Sequence, residues 1–253
     1  MDAIILAAGY ATRMYPLTLT RAKALLEVAG RPMIEHVLAN IRPIRGLDRA
    51  IVVTNQRFAD GFEEWAAGYR SQNAAPSVVI LNDGSTDESS RLGAIGDMHL
   101  ALSRCGVRGD VIAVAGDNLF SQSLEAFGEF CLGRDAPVVA LYDVGNLDEI
   151  RKYNAVSVDG TGRITYFEEK PARPTSTRTA IALYYYPARV RPLIDQYLAE
   201  GNNPDQPGRL VQWLYPRTPF YAWDLPGTWF DVGSVETLNE ASRVFGALRA
   251  GRA

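Results

Sequence analysis

The chain predicts a layered α/β fold built on a mostly parallel sheet with a small antiparallel extension. Three observations carry this. In the first half, apolar runs of strand length alternate with segments of helical period, joined by short connections. In the middle, strand-like segments follow one another directly, with a tight reversal at Asp159-Gly160-Thr161-Gly162. Across 253 residues, 47% are hydrophobic and 22% charged, enough apolar surface for one large core.

Taken in order, Ile4–Leu6 is a short apolar run and reads as a buried strand. Pro32 suits the first turn of a helix whose apolar positions are Ile34, Val37, Leu38 and Ile41. Ala50–Thr54 is the second strand, 58–69 a helix and Ser77–Leu81 the third strand. Leu92–Leu102 has a helical pattern with Gly93 and Gly96 at its start, 110–115 is the fourth strand, and Leu124–Leu132 is a helix. Segments 138–142, 153–158, 163–168 and 179–186 are strand-like, and Pro171 and Pro174 mark a loop. Segments 190–198 and 209–214 are helical, 220–223 and 228–230 are short strands, and 235–248 is a terminal helix. With no internal repeat and no low-complexity linker, we expect one domain over 1–253, its antiparallel extension at about 143–186.

Composition narrows the partners. A net charge of -3 gives no basic excess to match a polyphosphate backbone, so no nucleic-acid partner is expected. A single nucleotide needs only a few focused cations. Cys105 and Cys131 are the only cysteines, and with His36 and His99 they form no zinc-type spacing. The start Met1-Asp2-Ala3 carries no basic leader, and no apolar stretch is long enough to span a bilayer. These features lead us to expect a cytoplasmic protein with reduced thiols and no membrane partner. The sequence leaves oligomeric state open and allows a homo-oligomer.

Ligands of a parallel sheet sit beyond the carboxyl ends of its strands. Leu6-Ala7-Ala8-Gly9, Leu81-Asn82 and Gly116-Asp117 all fall at such ends, so they are candidates to line one crevice. Gly9 allows close ligand approach, and backbone N–H groups in such a turn form an anion nest. Arg13 can grip phosphate oxygens through several donors, and Lys23 places a compact charge against them. A surface turn with solvated cations would look similar. The spacing is neither a dinucleotide fingerprint nor an ATPase-type P-loop. Asp117 and Asp231 each follow an apolar segment, and two converging carboxylates supply the hard oxygen ligands that Mg²⁺ prefers. Turn residues with local hydrogen bonds are the alternative for both. Glu169 can accept two hydroxyl hydrogen bonds and Lys170 can offset a phosphate monoester, although a solvated cluster after a strand would read alike.

The order of these segments resembles the nucleoside-diphosphate-sugar pyrophosphorylases, or sugar-phosphate nucleotidyltransferases. Their pattern L-A-A-G-x-G-T-R-x-x-P-L-T, then P-K-x-L-L, is matched by Leu6-Ala7-Ala8-Gly9, Thr12-Arg13, Pro16-Leu17-Thr18, Lys23 and Leu25-Leu26. Ala11 stands in place of a glycine and Ala22 in place of the proline before the lysine. Gly116-Asp117-Asn118 resembles the metal motif G-D-x, and Trp229-x-Asp231-x-Gly233-Ser234 resembles W-x-D-x-G-T/S. Glu169-Lys170-Pro171 resembles E-K-P. Tyr153-Asn154-Ala155-Val156 resembles Y-G-V with Asn154 replacing glycine, and Leu92-Gly93-Ala94-Ile95-Gly96 resembles L-G-T-A-G, with Asp97 following where a small or apolar residue is usual.

The resemblance implies a Rossmann-like fold and a Mg²⁺-dependent transfer between an NTP and a phosphorylated small-molecule acceptor. Arg13 and Lys23 would contact the triphosphate, and Leu6, Ala7, Ala8, Gly9, Asn82 and Gly93 the rest of the nucleotide. Asp117 and Asp231 would hold the metal, and Asn154, Glu169 and Lys170 the acceptor. A sugar 1-phosphate is the leading acceptor, giving an NDP-sugar and pyrophosphate. A cytidylyltransferase acting on an alcohol phosphate or phosphonate such as phosphocholine is the enzymatic alternative. A nucleotide-sugar-binding regulatory subunit is the non-enzymatic one. No acetyltransferase or β-helix extension follows the terminal helix, so a single activity is expected.

Overall fold

The computed structural model describes residues 1–72 and 75–250. In chain order the elements are β1 (Asp2–Leu6), β2 (Glu27–Val28), β3 (Arg31–Pro32), α1 (Met33–Ile41), β4 (Arg49–Thr54), α2 (Ala59–Gln72) and β5 (Ser77–Asn82). Then come α3 (Ala94–Arg104), β6 (Val111–Ala115), β7 (Asn118–Phe120), α4 (Glu125–Leu132), β8 (Val138–Asp143) and α5 (Leu147–Ile150). The remainder is β9 (Asn154–Val158), β10 (Ile164–Glu169), β11 (Arg178–Tyr186), α6 (Arg191–Ala199), α7 (Pro207–Leu214), β12 (Tyr221–Asp224), β13 (Trp229–Asp231) and α8 (Val235–Ala250). This is the expected mixed α/β fold, with parallel core pairings and smaller antiparallel pairs.

The chain divides into two compact units. The first comprises residues 1–91, 114–126 and 226–253. Its strands β1, β4 and β5 pair in parallel, with Leu6 opposite Val53 and Thr54 opposite Asn82. Ile4, Ile5 and Ala50 to Val53 are fully buried, which explains why these strands read as unbroken apolar runs. A second apolar cluster packs Met14, Val28, Met33, Leu119, Val232 and Phe245 together. It anchors β7 and the start of α8. β7 pairs antiparallel with β13, bringing Asn118 opposite Asp231.

The second unit comprises residues 92–113 and 127–225. β8 pairs parallel with β12 and antiparallel with β11. β9 and β10 form the expected hairpin, closed where the Gly162 N–H donates to the Asp159 carbonyl at 3.0 Å. Its register puts Glu169 opposite Asn154.

Several boundaries differ from expectation for local reasons. α1 begins after Pro32, whose ψ of 139° is extended, rather than with it. α3 begins at Ala94 because Gly93 holds φ at 80°. Between them, β2, β3, β7 and α5 are two to four residues long, too short to show a period in sequence.

Candidate active site

The chain leaves β1 at Leu6 and turns at once through small residues. The Ala7 N–H donates to the Val53 carbonyl at 2.9 Å, and Asn55 Nδ2 donates to the Ala8 carbonyl at 2.8 Å. Asn55 is fully buried, so its amide pins the turn from below. Ala11 then adopts the left-handed conformation, φ 48° and ψ 44°. Its carbonyl accepts from Thr18 Oγ1 at 2.8 Å and from the Met14 N–H at 2.9 Å. Arg13 is exposed on the short turn that follows.

Lys23 opens a single helical turn, Lys23–Leu25. Its Nζ donates to Asp117 Oδ2 at 2.5 Å, across 94 residues of sequence. Gly116 makes that approach possible. Its N–H donates to the Leu6 carbonyl at 2.9 Å, and a Cβ there would lie 3.2 Å from Ala24 Cβ and 3.3 Å from Ala7 Cβ. Leu6, Ala7, Gly9, Ala11, Lys23 and Asp117 line a cavity of about 140 Å³.

Asp231 is brought in by the β7–β13 pairing, and the Val232 N–H donates to the Asp117 carbonyl at 3.3 Å. Burial and then the neighbouring Asp117 charge push the Asp231 carboxyl up to about 6, against the opposing pull of Lys23 and Arg13. Asp231 therefore lies within electrostatic reach of Asp117, Lys23 and Arg13. Asn118 Nδ2 donates to Asp117 Oδ1 at 3.1 Å, and Asn118 Oδ1 accepts from Trp229 Nε1 at 2.7 Å.

These residues fit a divalent cation. The Asp231 carboxyl, which the neighbouring Asp117 makes costlier to ionise, is relieved by a shared positive charge, and both carboxylates offer hard oxygen donors. Among the described residues no group of three or more His, Cys, Asp or Glu is gathered. A cation here would complete its shell with water and phosphate oxygens, as Mg²⁺ does.

The acceptor candidates lie in the second unit. Glu169 is half-buried, and its Oε2 is wholly enclosed with no hydrogen-bond partner among the described residues. Burial raises its pKa, while Arg209 and Lys170 oppose. Its own N–H donates to Gln212 Oε1 at 3.3 Å. Lys170 is exposed and takes φ 52°, its N–H donating to the Tyr153 carbonyl at 2.8 Å. Asn154 is buried, and its amide imitates a peptide edge on β11. Nδ2 donates to the Ala180 carbonyl at 3.0 Å, while Oδ1 accepts from the Ala180 N–H at 2.7 Å. The asparagine in place of glycine thus ties β9 to β11. Gly93, expected near the nucleotide, is packed against the chain at Pro204: a Cβ there would meet the Pro204 carbonyl oxygen at 2.6 Å.

Sequence reasoning did not find Asn55, Asn118 or Gln212. Asn55 carries the signal of a polar residue directly after a buried strand. Asn118 stood in the G-D-x segment only as its variable position, and Gln212 is set by a contact between distant segments that left no signal.

A mixed α/β protein whose cations and carboxylates gather beyond the carboxyl end of β1 places them where ligands of such sheets bind. A family profile described as nucleotidyl transferase matches residues 2–246, and the chain belongs to that family. It is 23% identical over 243 residues to the bifunctional protein GlmU of Methanocaldococcus jannaschii, covering 96% of this chain and 54% of that one. It is 27% identical over 235 residues to a provisionally named mannose-1-phosphate guanyltransferase of Sulfolobus acidocaldarius, covering 92% of this chain and 60% of that one. The chain thus spans little more than half the length of these curated relatives. A solved UDP-glucose pyrophosphorylase bound to UDP-glucose has the same fold, with a TM-score of 0.79 at 22% identity over 96% of this chain and 97% of that one.

Proposed function

We propose that the protein transfers a nucleotidyl group from an NTP to a sugar 1-phosphate, releasing pyrophosphate and forming an NDP-sugar. The observation that carries this reading is the convergence of Lys23, Asp117 and Asp231 beside the small-residue turn after β1. Family membership and two relatives whose names concern sugar phosphates or nucleotide sugars support it.

In this reading the turn at Leu6 to Gly9 receives the nucleotide and its phosphates. Arg13 and Lys23 balance the charge of the triphosphate and of the pyrophosphate that leaves. An acceptor phosphate is already anionic, so no strong general base is needed to attack the α-phosphorus. Alignment and fixed charge carry the catalysis. Lys23 is held on Asp117 and lines the cavity. Asp117 and Asp231 would hold Mg²⁺, which when bound shields phosphate charge and fixes phosphate geometry. In the second unit, the enclosed Glu169 carboxylate would accept hydroxyl hydrogen bonds, and Lys170 would balance the acceptor phosphate. Asn82 and Gly93 would complete the nucleotide contacts, and Asn154 would shape the acceptor pocket through β11.

The test is pyrophosphate release from a panel of NTP and acceptor pairs, with and without Mg²⁺, read alongside the mass of the nucleotide product. A sugar 1-phosphate should be turned over and phosphocholine should not. Lys23→Ala should lower turnover about a hundredfold, as loss of a transition-state charge contact does, an effect far larger than its effect on folding. Undiminished activity in that variant would overturn its role, and nucleotide binding without turnover of any pair would favour a regulatory subunit.

A further inference from the structure

The second unit holds a groove of about 460 Å³ lined wholly by residues of α6, α7 and the turns that follow them. That volume lies in the range of small-molecule sites. Tyr197 and Trp213 supply its aromatic surface, meeting edge to face with ring centres 5.7 Å apart. Their polar atoms are spent. The Tyr197 hydroxyl donates to the Asn203 carbonyl at 2.7 Å, and Trp213 Nε1 donates to Glu200 Oε2 at 3.0 Å.

The amides of the groove are oriented by the backbone. Asn203 Oδ1 accepts from the N–H groups of Asp205 and Gln206 at 2.8 and 3.2 Å, which leaves Nδ2 as the end available to a ligand. Gln212 Oε1 accepts from the Glu169 N–H at 3.3 Å, which leaves Nε2. Asn202 runs the other way. Its Nδ2 donates to the Tyr197 carbonyl at 2.9 Å, leaving Oδ1 as an acceptor beside these donors.

Two arginines complete the groove. Arg209 Nε donates to Gln206 Oε1 at 3.3 Å, and its two terminal nitrogens bond to no described residue. Arg217 Nη1 donates to the Trp213 carbonyl at 2.7 Å, and its guanidinium lies 3.9 Å from the centre of the Trp213 ring. The side chain is thereby laid in place with its remaining donors unspent. Among the described residues, neither arginine has a carboxylate within ion-pair distance, and no carboxylate lines the groove. Glu200, which feels the Arg217 charge, has both oxygens engaged, by Gln196 at 2.8 Å and by Trp213 and Asn202.

We propose that this groove is a second ligand site, separate from the transfer site, that takes a phosphorylated sugar. Two guanidinium groups match the charge of a phosphate monoester. Their terminal nitrogens, with Asn203 Nδ2 and Gln212 Nε2, supply donors for its three oxygens. Asn202 Oδ1 accepts from a sugar hydroxyl, and the aromatic surface covers the ring. A carboxylate offers two oxygens and one charge, so it leaves part of this donor set unmatched. The inference goes beyond the nucleotidyl transfer and does not depend on it.

Calorimetry on the full chain, without NTP or Mg²⁺, tests the site with a hexose 6-phosphate, inorganic phosphate and a hexuronate. Arg209→Gln and Arg217→Gln should each weaken hexose phosphate binding at one site tenfold or more, as loss of a charge-assisted hydrogen bond does. Lys23→Ala and Lys170→Ala should leave that site intact, which separates it from the proposed transfer residues. A circular-dichroism spectrum establishes that each variant is folded, and either arginine variant alone suffices for the test. Inorganic phosphate and the hexuronate should both bind at least tenfold more weakly than the hexose phosphate. The proposal is overturned if the wild type does not bind the hexose phosphate, or if folded arginine variants bind it as the wild type does. Binding lost only in the lysine variants also overturns it. Equal affinity for inorganic phosphate would remove the sugar from the assignment, and equal affinity for the hexuronate would remove the phosphate; either result overturns it as stated.

Discussion

Ala11 holds a left-handed backbone without being glycine. For an L-residue this conformation is strained by about 1 kcal/mol, and strain of this kind is kept where the surrounding bonds over-determine it. Here the bonds from Thr18 and Met14 to the Ala11 carbonyl do so. Ala11→Gly relieves the strain but frees the unfolded chain, so the net gain should be small, about 0.5 kcal/mol. Ala11→Val adds a β-branch at the same φ and should lose about 2 kcal/mol. Thermal melting of both variants checks the pair, and a valine variant as stable as the wild type would show that the turn is not held as described. Gly208 is a second glycine with a task. A Cβ there would come within 1.9 Å of Glu169 Oε2. Gly208→Ala should push the Glu169 carboxylate out of its enclosure, raising KM for the sugar phosphate by about tenfold while leaving KM for the NTP alone. Equal effects on both substrates would separate Glu169 from the acceptor.

At the scale of elements, the short β7–β13 pair does what no single residue could. It sets Asp231 opposite Asn118, and it lets the Trp229 indole N–H hold the Asn118 amide that in turn holds Asp117. Trp229→Phe keeps the ring and removes the N–H. The expected result is a loss of about 1 kcal/mol in stability, from one unmade hydrogen bond, and a higher Mg²⁺ concentration for half-maximal rate as Asp117 loosens. Magnesium titration of the rate together with a melting curve reads both; an unchanged magnesium requirement would reduce Trp229 to a packing residue. The same pair marks the limit of what the sequence displays. β1, β4, β5 and β6 were legible as apolar runs, mostly buried in β1, β4 and β6 and half-buried in β5, ending in Gly, Asn or small residues. Asp117 and Asp231 were legible as carboxylates placed after apolar runs, and Lys23 as a cation following the small-residue turn. β7 was not, because three residues show no period and its partner lies 111 positions away at Trp229. The packing contacts of Asn154 and Gly93 were not legible for a related reason. Their side-chain choice answers to contacts with Ala180 and Pro204, which no local pattern records.

For the whole molecule, the charged site should make stability depend on pH in a definite direction. Asp231 has a folded pKa raised to about 6 by burial and by Asp117, so holding it ionised opposes folding at neutral pH. As pH falls through that value the folded protein takes up a proton before the unfolded chain does, and stability rises. Glu169, also raised by burial, acts in the same sense. His36 acts oppositely. It is buried, bonded through Nε2 to the Val28 carbonyl, and its pKa is lowered, so below the ordinary histidine range the unfolded chain binds the proton first and stability falls. Asp231→Asn isolates the first effect. At pH 7.5 the variant should be more stable than the wild type by about 2 kcal/mol, worth on the order of 5 °C in melting temperature, and the gap should fall to about half by pH 5 and close only near pH 4, where the unfolded carboxyl also takes up its proton. Mg²⁺ should raise the melting temperature of the wild type at pH 7.5 and do so far less in the variant, since a ligand that binds only the folded state stabilises in proportion to its occupancy. Melting curves at both pH values, with and without the cation, test the whole argument. A variant less stable than the wild type at pH 7.5, with an undiminished magnesium response, would mean that Asp231 is neither strained by Asp117 nor placed to share a cation with it.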